Sequence, residues 1–301
     1  MRAPKDHMDL FGASALVAFS ALLALNQVVI KLTASGIQPV FLAGLRSFGV
    51  IFCLGAFLWW RGRSVRLERH QLRPAIWLGL LFAVEFVFLF LALDLTTVVR
   101  ASILFYSMPV WMALGAHVLL PGQKLTQMEC MGLMLAFAGV IWAMSSRSNT
   151  LDGQSGLVGD ICALLAAICW AGIGLGTRAT YLREVTPRVQ IFYQALISAP
   201  VLLLVAPAFG PLIRDITLAS YAGLTFQILL VSFGFPLWIW LLSLYPPSGV
   251  ASFSFLGPVF GVILGWGLLG EEISPQIIAA LVLVAFGLVL INRPAQVPQK
   301  V

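Results

Sequence analysis

The sequence predicts an all-α integral membrane protein of ten transmembrane helices, arranged as two inverted five-helix repeats. Three observations predict it. Of 301 residues, 60% are apolar and only 10% charged, with a mean hydropathy of +0.98; these charges are too few to coat a soluble core of that length. The apolar residues fall in continuous runs of about 20, the length an α-helix needs to cross about 30 Å of hydrocarbon, whereas barrel strands alternate over about 10 residues. Finally, one long stretch is written twice. VVRASILFYSMPVWMALGAHVLLPGQKLT (98–126) is answered by GVASFSFLGPVFGVILGWGLLGEEIS (249–274), SMPVW matching LGPVF and GQKLT matching GEEIS.

Ten runs qualify as spans: 10–32, 39–60, 74–94, 98–120, 128–146, 157–179, 187–209, 221–243, 248–269 and 276–292. The first follows a charged start, MRAPKDHMD, as a secretion signal would. It is too long for a signal's apolar region of about 7–15 residues and lacks an A-x-A site, so it reads as a span. Connections are short except 61–73, 147–156 and 210–220, which leaves no room for a soluble domain. Arg2, Lys5, Arg61, Arg63, Arg66, Arg69, Arg73, Lys124, Arg178, Arg183, Arg188, Arg293 and Lys300 fall on one side of such a bundle; Lys31, Arg100, Arg147 and Arg214 fall on the other. Lysine and arginine concentrate on the cytoplasmic side, so both termini are expected there, in a cell (inner) membrane. Trp59, Trp60 and Trp77 flank the basic loop, where an interfacial aromatic belt sits.

The duplication sets the domain boundaries at 1–148 and 149–301. Pro39 matches Pro187, Arg46 matches Gln194, Gly122 matches Gly270 and Gly139 matches Gly287, each at an offset of 148. Five spans per half is an odd number, so the second half enters the membrane upside down. Inverted repeats are a signature of secondary transporters, whose two halves exchange conformations to open a cavity to alternate sides.

Two such halves, each closing its fourth span with a Gly-x-x-[Leu/Ile]-[Thr/Ser] turn, resemble the drug/metabolite transporter superfamily, EamA type. The resemblance covers 10–292. GEEIS at 270–274 is close to the family's turn; GQKLT at 122–126 departs from it, carrying Gln123 where the family usually has Glu. Membership implies a central cavity lined by spans 1, 3, 4, 6, 8 and 9, with spans 2, 5, 7 and 10 outside. It also implies export of amino acids or other small metabolites without ATP hydrolysis.

The residues themselves offer candidates. Pro109 and Pro258 sit at equivalent places in spans 4 and 9; each removes a backbone donor and frees the carbonyl four residues earlier, at Phe105 and Ser254. Such breaks persist where backbone faces protein or a cavity, and paired breaks point to a transporter's centre; the plainer alternative is a packing kink. Pro236 adds a third break. Glu85 lies mid-span with no charge for eight residues on either side, and costs about 2.5–3.5 kcal/mol there if ionised. A carboxyl that gains and loses a proton as a cavity opens serves proton-coupled exchange; it also serves as counter-charge for a cationic solute, or bonds to a neighbouring helix. Arg46, in a peripheral span, reads as a structural brace. Asn26 and Gln27 interrupt span 1 as a polar pair that lines water or bonds across helices. Tyr106, Trp111, Trp170 and Trp238 stand near the breaks, suited to flat or apolar solutes. Gly172/Gly176 and Gly261/Gly265 are close-packing pairs.

The expectation is a secondary active transporter, a probable exporter of small organic metabolites such as amino acids, working by alternating access, proton-coupled or facilitative. The alternatives are a passive channel or an intramembrane enzyme acting on a lipid or peptide. Against the latter, there is no HExxH, GxSxG or paired intramembrane Asp, and His7, His70 and His117 have no catalytic partner in sequence. No cofactor, metal or nucleic acid is expected: Cys53, Cys130, Cys162 and Cys169 lie in or at the ends of apolar runs without a CxxC spacing. The expected partners are the solute, the lipid bilayer and, at most, a second copy of the chain.

Overall fold

The computed structural model describes residues 9–120, 125–145, 153–237, 244–245, 253 and 255–291. Among these there is no β-strand. The helices are α1 (Leu10–Ala34), α2 (Pro39–Trp60), α3 (Arg69–Leu95), α4 (Val98–Phe105), α5 (Met108–Leu119), α6 (Gln127–Ser145), α7 (Gly153–Ala179), α8 (Pro187–Val205), α9 (Leu218–Leu229), α10 (Leu256–Leu269) and α11 (Pro275–Ile291). Their starts follow from local chemistry. Asp9 accepts from the Gly12 amide, Glu68 and Gln71 form a capping box, as do Thr217 and Ser220, and Pro39 and Pro187 occupy first turns, where a missing N–H costs nothing.

Among the described residues, eight helical stretches are long and apolar enough to cross a membrane, counting α4 with α5 as Val98–Leu119 and α9 extended to Leu237. The two remaining apolar helices, α10 and α11, are shorter, at 14 and 17 residues. Of the ninth predicted span, expected from 248, the described helix is Leu256–Leu269; residues 246–252 and 254 lie outside the described part.

Span 4 is not one kinked helix. It divides at Tyr106–Ser107, upstream of Pro109, because proline is most easily housed in the first turn of a new helix. Pro258 likewise lies in the first turn of α10. Ahead of Pro236, residues Leu230–Gly234 widen into a π turn, and the Phe235 amide reaches back to the Leu230 carbonyl.

Packing joins the first half of the chain to the second almost everywhere. α6 crosses α11 with backbones nearly touching: a Cβ at Gly132 would lie 2.7 Å from the Gly287 carbonyl oxygen, and one at Gly139 would lie 2.8 Å from that of Ala280. α2 runs antiparallel to α8, with Gly44 against Leu203, Ser47 hydrogen-bonded to Ser198 (3.3 Å) and Gly55 against Phe192. Leu78 and Leu81 of α3 fill the spaces left by Gly176 and Gly172 of α7. Ser102 and Val99 of α4 do the same at Gly261 and Gly265 of α10.

One end of the bundle, called here the Thr96 end, is tied by polar bonds across the halves. Asp160 of α7 receives Nε of Arg100 (3.1 and 3.2 Å to its two oxygens), an Nη2 contact from the same guanidinium, and the Thr96 hydroxyl (2.9 Å). Gly270, at φ 65°, ends α10 in the left-handed conformation that glycine tolerates, which turns the chain back. Glu271 then accepts from the amides of Val98 and Val99, both at 2.8 Å, satisfying the start of α4. Lys31 donates to the carbonyls of Leu93 (3.0 Å) and Thr96 (2.5 Å). Arg214 pairs with Asp94 (2.7 and 2.9 Å) and bonds the Ala34 carbonyl; the Asp94 hydrogen bond, with its charge, pushes the guanidinium pKa upward. Thus Lys31, Arg100 and Arg214, which sequence reading assigned to topology, also fasten the fold. At the other end, the Arg61 end, the Tyr245 hydroxyl donates to Asp9 (2.7 Å).

Two outcomes test this packing. Gly287→Leu forces a side chain into the α6 backbone and lowers stability by about 1–3 kcal/mol, while Gly267→Leu, whose Cβ meets nothing within 4 Å, changes it by less than about 0.5 kcal/mol. Thermal unfolding of detergent-purified protein compares them. In the same assay Asp160→Ala, which strands the buried Arg100 charge, costs about 3–5 kcal/mol, and replacing both partners with apolar residues recovers most of that loss.

Candidate functional site

α3 carries a continuous buried face, Phe82, Glu85, Phe86, Leu89 and Phe90, at helical spacing. Glu85 on it is 0% exposed, and neither carboxylate oxygen has a hydrogen-bond partner among the described residues. Arg46 of α2, 3% exposed, lays its guanidinium over the Phe86 ring at 3.8 Å and the Phe90 ring at 4.7 Å, a cation–π seat. One of its terminal nitrogens is likewise without a hydrogen bond. Among the described residues, no ion pair or hydrogen bond joins this nitrogen to Glu85.

Further unpartnered polar atoms gather on neighbouring helices. Gln227 of α9 is 0% exposed with both its amide oxygen and nitrogen unsatisfied; the hydroxyl of Ser232, in the π turn, is in the same state. α9 meets α2 here, since a Cβ at Gly49 would strike the side chain of Ile228. On α1 the Asn26 side-chain oxygen is buried without a partner. Its neighbour Gln27 is engaged, accepting from the Ser102 hydroxyl at 2.5 Å. Each buried neutral group left in this state costs about 1–3 kcal/mol, and charged ones more. Five such residues stand on α1, α2, α3, α9 and the π turn that follows it.

Beside them stands an aromatic cluster centred on Trp170 of α7. Its ring lies 6.4 Å from Phe82, 6.2 Å from Phe105 and 6.3 Å from Phe235, and Phe235 in turn meets Phe19 edge-on. Trp170 is half-buried among these rings. Cys169, immediately before it, lies within electrostatic reach of Glu85. Polar deficit and aromatic wall therefore adjoin.

The other candidates are distributed as follows. Tyr106 sits in the turn between α4 and α5, its ring against Gly257, one residue before Pro258. Trp111 is braced, donating to the Ser107 hydroxyl (3.2 Å) and meeting the Phe137 ring of α6 edge-on at 5.1 Å. Pro109 is half-buried and Pro258 buried. Trp238 and Ser254 lie outside the described residues. Sequence reading passed over Gln227 and Ser232, although an amide inside an apolar run is the same kind of signal that singled out Glu85. It read Arg46 as a structural brace in a span expected to be peripheral. Arg46 is instead buried on the ring face that continues from Glu85. Among the described residues, no group of three or more His, Cys, Asp or Glu side chains could hold a metal ion.

Comparison with known proteins places the chain. It is 29% identical over 283 residues to a probable amino-acid metabolite efflux pump of Salmonella typhimurium, covering 88% of this chain and 89% of that one. It is 24% identical over 264 residues to the uncharacterized transporter YoaV of Bacillus subtilis, covering 87% and 89%. The uncharacterized inner membrane transporter YedA of Escherichia coli is 26% identical over 303 residues, covering 95% and 91%. One protein crystal structure superposes with a TM-score of 0.64 at 22% identity over 92% of this chain and 96% of that one, which establishes a shared fold. The model of the EamA-like transporter family matches twice, over residues 10–145 and 157–293, and the chain therefore belongs to that family of membrane transporters.

Proposed function

We propose that the protein is a secondary active transporter, most simply an exporter, of small organic metabolites such as amino acids, and that it works by alternating access in the cell membrane with both termini cytoplasmic. The carrying observation is the set of buried polar atoms on Asn26, Arg46, Glu85, Gln227 and Ser232 that no described residue satisfies, beside the Trp170 rings. A scaffold gains nothing from such a deficit. A carrier needs groups whose bonds are completed by solute. The Salmonella efflux pump adds the substrate class by similarity.

Ten spans in two inverted repeats, 1–148 and 149–301, fit the packing. An offset of 148 turns the contact Gly132–Gly287 into Ala280–Gly139, and Gly44–Leu203 into Phe192–Gly55; all four occur. Equivalent helices α2 and α8 run antiparallel, as an axis lying in the membrane plane requires. The polar ties at the Thr96 end, which the positive-inside bias assigns to the outer face, fit a state closed on that side. Opening would exchange them for contacts at the other end, and the breaks at Tyr106–Ser107 and before Pro258 supply short segments able to change direction.

Reconstitution into proteoliposomes tests the reading: saturable, gradient-driven accumulation supports a carrier, gradient-blind flux a channel, and covalent change of the solute an enzyme. Pro109→Ala, which lets α4 and α5 fuse, is expected to lower turnover without reducing insertion; unimpaired transport in both this variant and Pro258→Ala leaves the breaks as mere kinks. Proton exchange at Glu85 predicts that Glu85→Gln flattens the pH profile of transport, and an unchanged profile removes that role.

A further inference from the structure

We propose that Arg46 and Glu85 together form a two-charge reader for a dipolar, net-neutral solute, Glu85 taking its cationic group and Arg46 its anionic one. This deepens the transporter reading and rests on it. The argument begins from the inventory of unmet groups. Glu85 offers two acceptor oxygens, Arg46 a donor nitrogen, Gln227 one donor group and one acceptor, and Ser232 a hydroxyl, all buried. A metabolite carrying one sign of charge would complete one half of this set and leave the other half uncompensated. A molecule with both signs completes both, and the site with its solute stays neutral, as a low-dielectric interior demands.

The geometry separates the two roles. Arg46 is parked on Phe86 and Phe90, one turn apart on α3, and these rings hold its guanidinium short of an ion pair with Glu85. Closed on each other, the two groups would satisfy themselves and leave nothing to bind with. Held apart by ring faces, they present opposite charges on neighbouring helices. Phe82 links this pair to the apolar wall, since its ring lies 4.1 Å from Phe86 and 6.4 Å from Trp170. The solute's apolar or aromatic substituent is assigned to these rings. Arg46 thus passes from structural brace to specificity-determining residue.

The test uses the full chain purified in detergent and three probes of nearly equal size: L-phenylalanine, phenethylamine, which lacks the carboxylate, and hydrocinnamate, which lacks the amine. Ligand-dependent thermal shifts give the affinity of each. L-phenylalanine is expected to bind at least about tenfold more tightly than either one-charge analogue, since each lost charge-assisted bond removes about that much affinity. Glu85→Gln should reduce L-phenylalanine to the level of hydrocinnamate and leave hydrocinnamate unchanged; Arg46→Gln should reduce it to the level of phenethylamine, with partial recovery in Arg46→Lys. Equal binding of the three probes by the unmutated protein, or no binding of any, overturns the proposal without any variant having to fold. Variants that weaken all three probes alike overturn it too, by making both residues structural. A carrier that accumulates some other solute in proteoliposomes while showing no such discrimination keeps the transport reading and loses this one.

Discussion

A helix end buried against other helices must have its first amides and last carbonyls satisfied by protein, because no solvent reaches it there. Much of this architecture follows from that constraint at one place, the start of α4. Its amides at Val98 and Val99 are taken by Glu271, and that of Arg100 by the Thr97 hydroxyl at 3.2 Å. The preceding carbonyls of Leu93 and Thr96 are taken by Lys31. Once those groups are paired, α4 can be short, and a span can be divided at Tyr106–Ser107 while the glycine face of α10 packs against Ser102 and Val99.

The same rule explains why the centre stands out. Polar atoms elsewhere in the interior are engaged: Gln38 bonds the Ala206 carbonyl at 3.1 Å, Ser198 meets Ser47, and Asp160 holds three donors' worth of contacts. A fold that resolves its polar groups this thoroughly nonetheless leaves Glu85, Arg46, Gln227 and Ser232 without hydrogen-bond partners among the described residues. Sites of function are where such costs are retained.

How much of this was legible in the sequence depended on the range of the signal. Span positions, the duplicated turn and the position of Pro109 are local patterns, and the described helices fall on the runs that hydropathy marks. Glu85 was legible because a lone carboxyl in an apolar run is conspicuous. The partners of Arg100, Lys31 and Glu271 were not, since Asp160 is 60 residues from Arg100 and Val98 is 173 from Glu271. No periodicity encodes which helix faces which when every face is apolar. For that reason Arg46 looked peripheral; only the stacking on Phe86 and Phe90 turns it inward. The break in span 4 falls at Tyr106–Ser107, next to the Phe105 carbonyl that Pro109 frees, because proline is most easily housed in the first turn of a new helix.

The capping of α4 by Glu271 has one more consequence. Residues that complete a helix in the first half are supplied by the turn of the second, and the arginine of the first half needs an aspartate from the second. Neither half alone can bury its own ends. The chain should therefore melt in one cooperative step, as a single thermodynamic unit wearing two sequence signatures.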